Sequence, residues 1–83
     1  MFKIVFHKSS AKKFEKFSLQ LKEKISKAIE ALKQNPYIGK KLHGQLAGSF
    51  RLRIGDFRIV YDILNDEKIV VIHAIGSRGD VYK

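Results

Sequence analysis

A β-hairpin predicted at residues 50–63 constrains the fold of this chain more than any other segment. In FRLRIGDFRIVYDI, apolar side chains occupy every second position on both sides of Gly55-Asp56. Such alternation is typical of strands that bury one face. A two-residue loop with glycine first predicts a type II′ turn, and the resulting register places Arg53 opposite Arg58.

The polar face of this hairpin carries three arginines, Arg51, Arg53 and Arg58. Like charges directly opposite each other on paired strands cost about 1 kcal/mol at roughly 5 Å in a water-like dielectric. A fold selected for stability alone would avoid this cost, so the pattern predicts an anion site for phosphate. The alternative is a solvated sheet face whose arginines only discourage edge-to-edge pairing.

The chain has 83 residues and a formal net charge of +9, which indicates one basic domain over residues 1–83. The expected partners are anionic: nucleic acid first, an acidic protein second and an anionic membrane surface third. Eleven lysines and no arginine lie in residues 1–46, and all four arginines lie beyond them. Because arginine binds two phosphate oxygens at once, the lysines are predicted to attract the partner and the arginines to contact it.

Several classes of protein are not expected. There is no cysteine, no apolar run of 18 residues and no signal-peptide pattern, so we expect a cytoplasmic protein that is not anchored in a membrane, and a membrane is the least expected of the anionic partners. His7, His43 and His73 have no metal-ligand spacing, and no phosphate-loop or dinucleotide motif is present. We therefore expect neither a metal nor a small-molecule cofactor.

Around the hairpin, the periodicity predicts a first strand ending at His7 and two helices separated by a break near Ser18. Ser9 or Ser10 is expected to cap the first helix, and Asn35-Pro36 to end the second. Phe14 and Phe17 are assigned to the core rather than to base stacking, because they follow helical spacing.

Residues 37–48 contain three glycines and are predicted to form a loop or irregular edge. Residues 68–75 are predicted to form a central strand after a turn at Asn65-Asp66. The face of the sheet on which His73 lies depends on the length of that turn. A two-residue turn places His73 beside Arg58, whereas a three-residue turn places it in the core. The predicted fold class is α+β, with two helices packed on a mainly antiparallel sheet of about four strands.

Two segments, LHGQLAGSFRLRIGDFRIVYDI and IHAIGSRGDVY, resemble the RelE/ParE toxin superfamily of type II toxin-antitoxin systems. The first is similar to that superfamily's L-x-G-x(3)-G-[YF]-[YF]-R-[LI]-R-x-G-x-[YF]-R-[LIV]-x-Y pattern, and the likeness extends over nearly the whole chain. It implies an N-terminal strand and a two-helix hairpin packed on the sheet. It also implies a cognate antitoxin as partner. RelE-like members cut mRNA in the ribosomal A site, whereas ParE-like members inhibit DNA gyrase.

The resemblance further implies roles for particular residues. Arg58, Arg78 and Tyr82 correspond to catalytic positions of RelE-type enzymes. Arg51 and Arg53 correspond to phosphate-binding positions. Apart from the resemblance, Lys40 and Lys41 are predicted either to form a solvated bend or to support phosphate binding electrostatically. The chain departs from many relatives in having Ser77 where they have histidine. It also ends at Lys83, without the helix that some RelE enzymes place after the tyrosine.

These roles predict a ribosome-dependent endoribonuclease whose partners are the ribosome and mRNA. In the predicted mechanism Tyr82 takes the proton of the 2′-OH, and Arg78 clamps the phosphate or acts as the acid. The alternatives are a ParE-like gyrase inhibitor and a non-catalytic module that binds nucleic acid or an antitoxin.

Overall fold

The structure, a computed structural model, describes residues 1–44 and 48–77. In chain order, its elements are strand β1, Lys3–Phe6; helix α1, Lys8–Glu15; helix α2, Leu19–Gln34; a 3-10 turn, Pro36–Ile38; strand β2, Lys40–Lys41; strand β3, Phe50–Ile54; strand β4, Phe57–Leu64; and strand β5, Ile69–Ser77.

The strands form one sheet in the order β1-β5-β4-β3-β2, in which β1 is parallel to β5 and the other neighbours are antiparallel. Apolar side chains of α2 pack on one face of this sheet in a single core cluster, which includes Ile25, Leu32, Ile59 and Ile72. The predicted α+β class is confirmed. The expected count of about four strands was low, because part of the segment predicted as a loop forms the short fifth strand β2.

The N-terminal cap agrees with the sequence prediction for α2 and differs from it for α1. Ser18 caps α2, since its hydroxyl accepts a hydrogen bond from the N–H of Leu21 at 3.2 Å. His7, rather than Ser9 or Ser10, caps α1. The hydroxyl of Ser10 is buried and lies 2.7 Å from the carbonyl oxygen of Ile72, which ties α1 to β5. A serine used for this tertiary contact is not available as the cap.

The remaining helix predictions are confirmed. α2 ends at Gln34, directly before Asn35-Pro36. Phe14 and Phe17 pack against the core cluster, with their ring centroids 6.3 Å apart.

The hairpin has the predicted register, with Arg53 opposite Arg58 and Ile54 opposite Phe57. Gly55 has φ 58°, the left-handed value that the first central position of a type II′ turn requires. The turn before β5 is longer than predicted. It occupies residues 65–68, with Lys68 at φ 58°, and the central strand runs to Ser77 rather than ending at Ile75.

Tyr61 connects β4 to the segment that follows α2 through two hydrogen bonds. Its side chain is fully buried, its hydroxyl donates to the carbonyl oxygen of Pro36 at 2.6 Å, and it accepts from the N–H of Gly39 at 3.1 Å. Burial raises the pKa of the Tyr61 phenol above its ordinary value of 10.0, and the Gly39 N–H offsets part of that rise.

We expect Tyr61→Phe to lower the free energy of unfolding at pH 7 by about 1–3 kcal/mol, because two buried backbone groups lose their partner. The raised pKa of Tyr61 means that the native state holds this proton more tightly than the unfolded chain does. The stabilisation is therefore complete below pH 10.0 and is lost as pH rises through the folded-state pKa. Denaturant unfolding from pH 7 to alkaline pH should show a shallower alkaline decline for Tyr61→Phe than for wild type.

Tyr37→Phe is the matched control, because Tyr37 is exposed and its hydroxyl donates to Asn65 at the surface. An equally shallow alkaline decline in both variants would contradict the role assigned to Tyr61.

Candidate nucleic-acid interface

The sheet face opposite the helices is called the arginine face here, because it carries Arg51, Arg53 and Arg58. Successive side chains of a strand point to opposite faces, and the neighbours of these arginines, Leu52 and Ile59, pack in the core. All three guanidinium groups therefore leave the sheet on the side away from α1 and α2. The hairpin register holds Arg53 directly across from Arg58.

Two adjacent lysines of β2 are separated by the register of that strand. Lys40 pairs with Arg51 and therefore shares the arginine face. Lys41 pairs with Phe50, whose ring packs against the core, so Lys41 lies on the helix side of the sheet. Of the two lysines predicted to support phosphate binding, only Lys40 is placed beside the arginines.

The arginines differ in how much surface they offer to a ligand. Arg53 is exposed and Arg51 is half-buried, whereas Arg58 is only 8% exposed. A guanidinium at the surface can bind a phosphate with both prongs of its fork at a low desolvation cost. Arg53 is therefore the best placed of the three to meet a ligand, and Arg58 adds positive charge beside it.

The predicted tail residues Arg78 and Tyr82 lie outside the described residues. The site that the structure brings together from the sequence-predicted set consists of Lys40, Arg51, Arg53 and Arg58. These four side chains come from three adjacent strands. They form two neighbouring rows on one face, which suits an anion longer than a single phosphate.

A β-bulge at His73 decides which of the following residues of β5 lie on the arginine face. Val60 pairs with Ala74 but Tyr61 pairs with Ile72, so β5 holds one extra residue, His73, at this point. Without the bulge, the register would place Ile75 opposite Arg58 on the arginine face. With it, Ile75 returns to the core opposite Ile59 and Gly76 lies opposite Arg58.

The turn at residues 65–68 is two residues longer than the predicted turn, so His73 stays on the arginine face and not in the core. The longer turn also moves His73 away from Arg58, and it lies beside Asp62 and Ser49. Its Nε2 is 3.7 Å from Oδ1 of Asp62 and 3.4 Å from Oγ of Ser49. The hydroxyl of Ser49 donates to Oδ1 of Asp62 at 2.5 Å. We call these three residues the histidine cluster.

Asp62 and Ser49 were missed as candidate functional residues. The alternation that places Arg58 on the polar face also places Asp62 there, and extending the hairpin register by one residue brings Ser49 opposite it, so a signal was present in the sequence. No local signal marks the bulge. Within residues 1–44 and 48–77, no group of three or more potential metal ligands comes together. No helix in the described part of the chain is long and apolar enough to cross a membrane.

Comparison with known proteins identifies the family of this chain. The model described as "ParE toxin of type II toxin-antitoxin system, parDE" matches residues 4–82. The "Putative toxin RelE1" of Methanocaldococcus jannaschii is 35% identical in an alignment of 86 positions that covers 99% of this chain and 96% of that protein. A "Putative RelE-like toxin protein" of Escherichia coli is 27% identical over 98% of this chain and 90% of its own length.

Solved structures show the same fold. The isolated E. coli RelE toxin superposes with a TM-score of 0.83 at 19% identity, covering 93% of this chain and 84% of that one. The archaeal RelE-RelB complex from Pyrococcus horikoshii gives a TM-score of 0.80 at 22% identity, covering 96% of this chain and 98% of the matched one. With a family model spanning almost the whole sequence and a relative at 35% identity, the chain belongs to the RelE/ParE toxin superfamily of type II toxin-antitoxin systems.

Proposed function

We propose that this protein is a ribosome-dependent endoribonuclease that cleaves mRNA in the A site by attack of the 2′-OH, without a metal ion. The observation that carries the proposal is the convergence of Lys40, Arg51, Arg53 and Arg58 on one sheet face. Like-charged side chains on one sheet face repel each other, and a bound phosphate offsets that repulsion.

The cations match the charge that develops during cleavage of RNA. As the 2′-oxygen attacks, negative charge accumulates on the non-bridging oxygens of the phosphorane. Arg53 is exposed enough to bind those oxygens, and Lys40 and Arg51 form the neighbouring row of the same cationic surface. A preorganised donor aimed at such charge contributes about 3–4 kcal/mol to the transition state.

Proton transfer is assigned by resemblance to the tail. In this proposal Tyr82 takes the 2′-OH proton and Arg78 clamps the phosphate, as in RelE-type enzymes. Ordinary tyrosine and arginine titrate far from neutral pH, so they make weak general catalysts and positioning must supply much of the rate. Free RNA should therefore be cut poorly, and mRNA held by the ribosome should be cut well.

An antitoxin is the proposed protein partner. Solved relatives include the toxin-antitoxin complexes RelBE of E. coli and RelE-RelB of P. horikoshii. The net charge of +9 favours an acidic or amphipathic antitoxin segment. The ribosome as a target implies that the toxin acts in the cytoplasm.

Inhibition of DNA gyrase is the second candidate function, because the family model that matches the chain is described as a ParE toxin. The same cationic face would serve either an RNA or an acidic protein surface. Salt dependence alone does not separate the two, since both rest on charge.

The deciding experiment is to induce the toxin and map the 5′ ends that it creates on translated mRNA. We expect cuts within translated regions, 2′,3′-cyclic phosphate on the upstream product and little cleavage of the same RNA without ribosomes. Arg78→Ala should bind ribosomes almost normally and lose most cleavage. Gyrase-linked DNA breaks with intact mRNA would support the ParE-like function instead, and equal cleavage of free and ribosome-bound RNA would contradict the mechanism.

A further inference from the structure

The histidine cluster stands next to the cationic rows. Asp62 lies two residues from Val60 along β4, and Val60 pairs with Arg51. Residues two apart on a strand are separated by roughly 6.6 Å, so the cluster forms the next row on the same face. Only the short side chains of Val60 and Ala74 lie between His73 and the Arg58 row on these two strands.

The imidazole is held at one nitrogen and open at the other. Nε2 faces the carboxylate of Asp62 and the hydroxyl of Ser49. Among the described residues, Nδ1 has no hydrogen-bond partner. Every buried side-chain nitrogen or oxygen in the described part of the chain has such a partner, so Nδ1 is not buried and is in contact with solvent. The His73 side chain is 31% exposed. A ring oriented by a carboxylate on one side and free on the other has the geometry of a general acid or base.

We propose that His73 is the general acid of the cleavage reaction, an inference that rests on the proposed function. The 2′-oxygen forms a bond to phosphorus as its proton passes to the base. The bond from phosphorus to the 5′-oxygen breaks, its electron pair leaves on that oxygen, and Nδ1–H of His73 supplies the proton. The products are a 2′,3′-cyclic phosphate and a 5′-hydroxyl.

The proposed function already assigns the base, so the proton-transfer role open to His73 is that of the acid. The carboxylate of Asp62 and the hydroxyl of Ser49 lie on the Nε2 side of the ring, so Nδ1 is the nitrogen left to meet the substrate. The hydroxyl of Ser49 donates to Asp62 and so keeps that carboxylate in place. Asp62 and Ser49 are thus positioning residues, whereas His73 meets the substrate.

The test uses an mRNA with sulfur in place of the 5′-bridging oxygen at the linkage that the wild-type toxin cuts, bound to the ribosome. Sulfur leaves as a thiolate without needing a proton. We expect His73→Gln to slow cleavage of ordinary mRNA by about 10²-fold and to leave cleavage of the sulfur-containing mRNA nearly unchanged. Asp62→Asn should show the same pattern with a smaller loss.

His7→Asn is the control, because it removes an exposed imidazole at the start of α1 while keeping a side chain that can cap that helix. It should cut both substrates like wild type, and thermal unfolding of each variant checks its fold. Normal cleavage by His73→Gln, or an equal loss on both substrates, would overturn the acid role while leaving the proposed function in place. If wild type cuts neither substrate on the ribosome, the proposed function fails and this inference fails with it.

Discussion

Arg53→Gln is expected to reduce cleavage of ribosome-bound mRNA by about 10²–10³-fold without destabilising the protein. Arg53 is exposed and lies directly opposite Arg58, which is largely buried. Replacing it removes the guanidinium that we propose binds phosphate and, at the same time, reduces the repulsion between the two cations. The free energy of unfolding should therefore stay the same or rise by about 0.5 kcal/mol, opposite in sign to the effect on activity.

Two measurements on the same variant check this prediction: single-turnover cleavage on programmed ribosomes and denaturant unfolding. Lys24→Gln is the matched control, since it removes one positive charge from an exposed position on α2. It should change cleavage only slightly. A variant of Arg53 that unfolds more easily and cuts normally would show that the arginine pair serves the fold and not the RNA.

Gly39→Ala is expected to destabilise the protein by about 1–3 kcal/mol, although its backbone is unstrained. Gly39 has φ −77°, which alanine adopts readily, so the effect is steric. A Cβ at this position would overlap the hydroxyl of Tyr61 and lie 2.8 Å from the carbonyl oxygen of Arg51. The first atom is fixed by its hydrogen bond to Pro36 and the second belongs to the β3 backbone, so neither moves cheaply.

A double-mutant cycle with Tyr61→Phe separates the two clashes. Removing the Tyr61 hydroxyl should relieve part of the overlap, so the double variant should be less destabilised than the sum of the single variants. The contact with Arg51 remains, so Gly39→Ala should still cost stability when it is combined with Tyr61→Phe. Full additivity in equilibrium unfolding would indicate that Gly39 does not pack against Tyr61.

Local rules explain why much of the cationic site could be predicted. The register of a hairpin depends on its turn, and the alternation of side chains along each strand then decides which face they occupy. Gly55 adopts the positive φ that the turn requires, so Arg53 and Arg58 are paired across the hairpin as predicted. The breaks at Ser18 and Asn35-Pro36 likewise depend on capping and on proline, which act within a few residues.

The sequence by itself therefore determined the fold class, the hairpin register and the convergence of the three arginines, because turn chemistry and alternation act between near neighbours. Tertiary structure alone decided that Lys40 joins the arginines while Lys41 does not, and that His73 meets Asp62 and Ser49. Both outcomes depend on pairing between distant segments. The hydrogen bond from the N–H of Gly39 to the hydroxyl of Tyr61 holds the start of β2 against the sheet, and the bulge in β5 keeps Ile75 in the core. Such pairings are chosen by the packing of the whole core, which no short window of sequence contains.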